Sequence, residues 1–192
     1  ISNATIILLD TSLFTTCGPT ADHDLIISNV NIIHMKTGEI LEGRTIGIDS
    51  NRISRIYDEK IRSAARAEAI DGKGGYLIPG LWDMHTHIHW NEKESSRLLL
   101  ANGVTGIREM WGEMDSIKNF RNRNKEGYLA PDIYSAGRII DGKPSVWEGS
   151  AEVMTAAEAR AEVLRQIEEG ADFIKVYSKL NKEAFDAIAE AA

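Results

Sequence analysis

Cysteine is almost absent from this sequence: Cys17 is the only one. An intrachain disulfide is therefore excluded, a condition met by proteins of reducing compartments and by many exported ones. Long apolar runs are also absent. The longest near the start, Ile6 to Leu9 followed by Leu13-Phe14, falls far below the ~20 residues that span a bilayer. Basic charge is scarce: 22 Lys and Arg face 29 Asp and Glu, for a net charge of -7. That balance argues against nucleic acid as a partner, which calls for a basic face, and leaves the substrate open. No internal repeat or low-complexity tract appears. What remains, 43% hydrophobic and 27% charged residues, is ordinary for a globular chain.

The sequence starts at Ile1 without an initiator Met and reads as a processed, trimmed or incomplete start. Residues 1–23 have two readings. One is the remnant of a secretory signal in which Cys17 resembles the lipid-acceptor cysteine of a bacterial lipoprotein. Asp10 inside the apolar run, Phe14-Thr15-Thr16 before the cysteine and the lack of a basic flank weigh against it. The other is a disordered leader or a strand. The first would make the protein exported and membrane-anchored, and the second leaves it cytoplasmic.

From Asp24 to about Ile70, short apolar runs alternate with turn signals. Leu25 to Ile27, Val30 to Ile33, Thr45 to Ile48 and Ile53 to Ile56 predict strands, and Gly38, Gly43 and Asp49-Ser50-Asn51 fall between them. Such close spacing predicts a small antiparallel β unit over 24–75, ending in a glycine-rich crossing at Asp71 to Gly75. The texture changes at Tyr76. Strands are expected at 104–109, 133–140 and 173–177, and helices at 92–102 and 114–125. Thr155 with Glu158 three residues on predicts a capping box opening a helix that ends at Gly170. Another helix begins at Asn181, with Phe185 and Ile188 on one face. Residues 76–192 therefore read as successive βα units.

Two features carry chemistry. His85 and His87 sit two residues apart, so on a strand they share a face with Asp83, and two such imidazoles can chelate one metal ion, Zn²⁺ being a favoured match. By itself His-x-His is equally a polar strand end. Lys175 lies alone inside the apolar run Phe173 to Tyr177. Burial lowers a lysine pKa, and a neutral amine is a nucleophile for a Schiff base or for carbon dioxide. A strand-end lysine reaching solvent fits the pattern too.

Pro79-Gly80-Leu81-Trp82-Asp83-Met84-His85-Thr86-His87 resembles the Pro-Gly-x-x-Asp-x-His-x-His signature of the amidohydrolase superfamily. Gly103 to Arg108 and Gly170 to Lys175 are similar to two later barrel strands of that family, nearest the branch of imidazolonepropionase-like proteins and metal-dependent dipeptidases. The resemblance implies an α/β fold: a partial TIM (β/α)8 barrel at 76–192, preceded by the N-terminal part of a small β-sandwich. A whole barrel takes ~250 residues, so the sequence reads as an N-terminal fragment. The implied metal ligands are His85, His87 and Lys175, the implied cofactor one or two zinc ions, and Lys175 as a carbamate the bridge between two. The implied function is hydrolysis of amide, peptide or cyclic amide C–N bonds by a metal-activated water. His89 and Trp147 are expected on the substrate side, and the general base beyond Ala192, so the fragment is expected to be inactive by itself. The substrate is a small molecule or short peptide, and a homo-oligomer stays open. The alternatives are a catalytically incomplete or non-catalytic metal-binding relative, and a Schiff-base lyase using Lys175, which leaves His85 and His87 unexplained.

Overall fold

The computed structural model describes residues 20–50, 52–58, 61–63, 68–88 and 91–192. Residues 1–19, with Cys17, and His89 lie outside them. The fold divides into two compact units at Pro79/Gly80.

In the first unit, β2 (Leu25–Ile33), β3 (Ile40–Asp49), β4 (Arg52–Tyr57) and β6 (Glu68–Leu77) form one sheet in the order β4-β3-β2-β6. β1 (Thr20–Ala21) and β5 (Arg62–Ser63) pair in parallel beside it. Ile26, Val30 and Ile46 are its fully buried apolar side chains. The expected strands exist, but two features differ. The two runs at 25–27 and 30–33 are one strand, kinked at Asn29, whose φ is 56°. The glycine-rich stretch at 71–75 is not a crossing: it is strand, and it pairs in parallel with β2, so the sheet is mixed. Its signal is missing because glycines carry no apolar alternation. Hydrogen bonds stand in for side-chain packing there, from Lys73 N to Asp71 Oδ1 (2.8 Å) and from Asn31 Nδ2 to Gly74 O (2.8 Å).

In the second unit, β7 (Leu81–Thr86), β8 (Val104–Glu109) and β9 (Asp132–Ser135) form a parallel sheet in sequence order. The helices α1 (Glu92–Ala101) and α2 (Met114–Lys125) connect them. Ile107 and Ile133 point from the strands into a cluster with Met114, Ile117 and Phe120 of α2. By strand alternation, the next residue, Arg108, takes the other face, where its guanidinium lies 4.4 Å from the Phe173 ring. Trp82 meets Tyr134 at 5.3 Å between ring centres. Gly106 makes room for this, since a Cβ there would lie 2.4 Å from the Trp82 ring.

Beyond β9 the chain forms the short parallel pair β10 (Ile140–Asp141) and β11 (Ala151–Glu152), then α3 (Ala156–Glu168) and α4 (Lys182–Ala191). The capping box is present: Glu158 N donates to Thr155 Oγ1, and Glu158 Oε2 accepts from Thr155 N. The strand expected at 133–140 breaks at Gly137, whose φ of 65° interrupts the ladder. The strand expected at 173–177 is reduced to one parallel bridge, Ile140 to Val176. It is still held in line, by Ile140 N donating to Lys175 O and Tyr177 N to Ile140 O, both 2.9 Å. Ile174 and Val176 pack on the cluster of Ile140, Val163, Ala184 and Ile188, which leaves Lys175 on the opposite side. In α3 Ala159, Val163 and Gln166 are buried while Ile167 is half exposed; the Gln166 amide donates to Arg138 O and Glu162 Oε1. Phe185 is exposed on α4, where Ala184, Ala187 and Ile188 make the buried face. The class is α/β, and the described βα units form an open sheet, a partial barrel that does not close on itself.

Candidate metal centre

The signature segment fills β7 and the turn after it. Leu81 N donates to Gly103 O, and Thr86 Oγ1 to Arg108 O, which fixes β7 to its neighbour at both ends. Asp83 turns its carboxylate back onto its own strand and accepts from His85 N at 3.1 Å.

His85 and His87 have ring centres 5.4 Å apart and planes at 71°. Behind them stands a residue that sequence reasoning missed. Glu109, the last residue of β8, is fully buried. Its Oε2 accepts from Ile88 N at 2.6 Å and its Oε1 from Trp111 N at 3.3 Å. The same Oε1 lies 3.4 Å from His87 Nδ1. A carboxylate there orients the ring and favours a proton on Nδ1, leaving Nε2 as the lone-pair donor. The available signal was an acid at the C-terminal end of the strand beside the histidines, the end where barrel sites are built.

Lys175 lines the same cleft as His85 and His87, with Trp111, Ile139, Trp147 and Tyr177 as the apolar remainder of the wall. The cleft measures about 140 Å³. Burial pushes the Lys175 ammonium below the ordinary lysine range; Tyr177 and Glu109 oppose this, and Arg108 reinforces it. A larger neutral fraction is what carbamate or imine chemistry requires. A wider cleft of about 480 Å³ opens on the other side of the imidazoles, toward Leu98 and Leu99 of α1. The structure thus brings His85, His87, Lys175 and Trp147 together.

Two imidazoles and one deprotonatable amine suit a borderline-soft divalent ion such as zinc. They would make up only part of a coordination shell. Among the described residues no group of three or more His, Cys, Asp or Glu is arranged to hold a metal. A further cleft of about 400 Å³, between Arg121, Asp132, Tyr134 and Asp172, lies at the N-terminal ends of the strands. There Arg121 pairs with Asp172 and donates to Ile133 O, a clasp between elements at the end of a barrel associated with stability rather than chemistry. No described helix is long and apolar enough to cross a membrane.

No protein-family model matches the chain. In sequence it is 32% identical over 87 residues to an adenine deaminase of Clostridium botulinum, covering 44% of this chain and 14% of that protein. In fold it superposes on a prolidase complexed with N-methylphosphonate-L-proline, with a TM-score of 0.74 at 18% identity, over 88% of this chain and 53% of the other. A Xaa-Pro dipeptidase with methionine bound in its active site gives 0.73 at 21% identity, with the same two coverages. The chain thus spans about half the length of these structures, and the sequence match a smaller part of the deaminase.

Proposed function

We propose that this chain, which carries the signature and the fold of the amidohydrolase superfamily, contributes the His85, His87 and Lys175 donors to the metal centre of a hydrolase that breaks C–N bonds of amides, peptides or cyclic amides. The observation that carries the reading is the convergence of these three side chains, from the first strand and from the fourth extended segment, on one cleft of about 140 Å³. A deaminase among the sequence relatives and prolidases among the fold neighbours support the bond class and leave the substrate open.

In this reading His85 and His87 would hold zinc, with Glu109 orienting the His87 ring. Bound zinc would supply Lewis acidity, activating water and polarising the substrate carbonyl. The Lys175 amine, made easier to deprotonate by burial, would add to carbon dioxide, one N–C bond forming as a C=O π bond opens and one proton leaving, and the carbamate would offer anionic oxygens to the metal.

The test is zinc content and amide hydrolysis of the full-length protein, wild type against Lys175→Ala and His85→Ala/His87→Ala. Loss of bound zinc and of hydrolysis together in the variants is expected. Hydrolysis that survives all three substitutions, or a trapped imine on Lys175 after borohydride, would overturn the reading.

A further inference from the structure

We infer that the aromatic wall of this cleft is a binding pocket for one apolar, ring-sized group beside the bond to be cleaved, and that Asp141 is the positioning residue that sets the wall in place. The words substrate and bond rest on the hydrolase reading above; the pocket rests on the geometry alone.

Trp111, Ile139, Trp147 and Tyr177 offer rings and a branched alkyl group, without a charge, immediately beside His85, His87 and Lys175. Small-molecule sites have this make-up, apolar walls with a few convergent polar groups. Size decides the guest. A dry engineered cavity of ~150 Å³ takes up benzene, and this one measures about 140 Å³. The same space also faces His85, His87 and Lys175, so at most one ring, laid on the aromatic side, fits, and an extended peptide does not. Trp147 and Tyr177 stand edge to face, with centres 6.5 Å apart and planes at 68°. A ring laid against this pair, in contact with both, gains edge or face contact from each. Trp111 is backed by Gly149, where a Cβ would lie 2.9 Å from its Cζ2.

Trp147 is 53% exposed and sits on a loop, so something must hold it. Asp141 does so. Its carboxylate is fully buried. Oδ1 accepts from Gly142 N at 2.9 Å and from Lys179 N at 2.8 Å, and Oδ2 from Val146 N at 2.9 Å. One side chain therefore ties the residue before Trp147 to the segment just after Tyr177. Lys179 Nζ donates to Pro144 O, Ser145 N to Glu152 Oε1 and Arg138 Nε to Gly149 O, each at 2.8 Å. A loop strapped at this many points is preformed, and a preformed wall loses little entropy when a ligand arrives.

The test compares phenylacetamide with acetamide as probes, by ligand-observed NMR titration of the full-length protein as isolated. Phenylacetamide is expected to bind at least tenfold tighter, and Trp147→Ala to remove most of that preference. Asp141→Asn puts an NH2 group against one of the donors and should cost a similar factor. The two substitutions together should cost no more than Trp147→Ala alone, because both act through the indole. Equal binding of the two probes to wild type, or a preference unchanged in Trp147→Ala, overturns the pocket. Additive losses overturn the positioning role of Asp141. If circular dichroism shows that Asp141→Asn does not fold, Glu152→Ala, which removes the strap to Ser145 N, takes its place with the same two outcomes. Binding needs no turnover, so a protein that binds the ring but hydrolyses nothing would count against the hydrolase reading and leave the pocket standing.

Discussion

The Oε1 atom of Glu109 lies 3.4 Å from Nδ1 of His87, while the same carboxylate accepts from the backbone of Ile88 and Trp111. One buried acid thus joins the end of β8, the turn after β7 and the inner imidazole. Glu109→Gln keeps the volume but turns an NH2 group toward one of the backbone donors and loses the negative charge beside the ring. Outer-shell partners of metal-bound histidines change metal affinity by ~10–100-fold. Zinc competition titration should show a loss in that range, with a melting temperature also below wild type, since an unmet buried donor costs roughly 1–3 kcal/mol. Zinc affinity equal to wild type would mean that Glu109 only braces the backbone.

How much of this was legible in the sequence follows from what each residue's signal depends on. His85 and His87 announced themselves through spacing, and Thr155 with Glu158 through a capping pattern; both are local, and both appear in the structure. Asp141 was silent, because a carboxylate that braces backbone amides has no sequence period and looks like any surface acid, and Glu109 offered only its place at a strand end. The parallel pairing of β6 with β2 was hidden for a related reason. Pairing partners are chosen by hydrogen-bond register, and the glycines at 72, 74 and 75 give no side-chain pattern to read. The strand expected at 173–177 failed through context. An apolar run supplies the tendency to extend, but a strand needs a ladder partner on its flank, and among the described residues only Ile140 provides one.

A pH dependence is expected in the first unit. His23 is seated over Gly47, with Nδ1 2.8 Å from Asp49 Oδ2 and Nε2 2.8 Å from the Tyr57 hydroxyl. Hydrogen bonding by Ser54, then by His23, holds the Asp49 carboxyl below the ordinary carboxylate range. A depressed pKa in the folded state contributes stability above the ordinary value of ~3.9, and the contribution fades as pH falls through the depressed value. Asp49→Asn should therefore melt below wild type at pH 7, with the gap closing as pH approaches 3. Because Asp49 is solvent-accessible, the gap should be small and shrink in salt. Calorimetric melting from pH 3 to 7 checks this, and a gap that stays constant with pH would remove the charge from the explanation.

Gly142 gives the most direct steric prediction. Its backbone is not left-handed, so alanine is permitted by torsion. The obstacle is contact: a Cβ would lie 1.9 Å from the carbonyl oxygen of Lys179 and 2.5 Å from its carbon. Both are backbone atoms, and no side chain can swing aside. Gly142→Ala must push the loop away from the segment that follows Tyr177, stretching the bonds from Gly142 N and Lys179 N to Asp141. Overpacking of this kind costs about 1–3 kcal/mol. The urea midpoint should fall accordingly, and Trp147, no longer held opposite Tyr177, should become more accessible to acrylamide quenching. A midpoint at or above the wild-type value would show that the loop has room to move. Asp141 would then be one strap among several rather than the one that sets the wall.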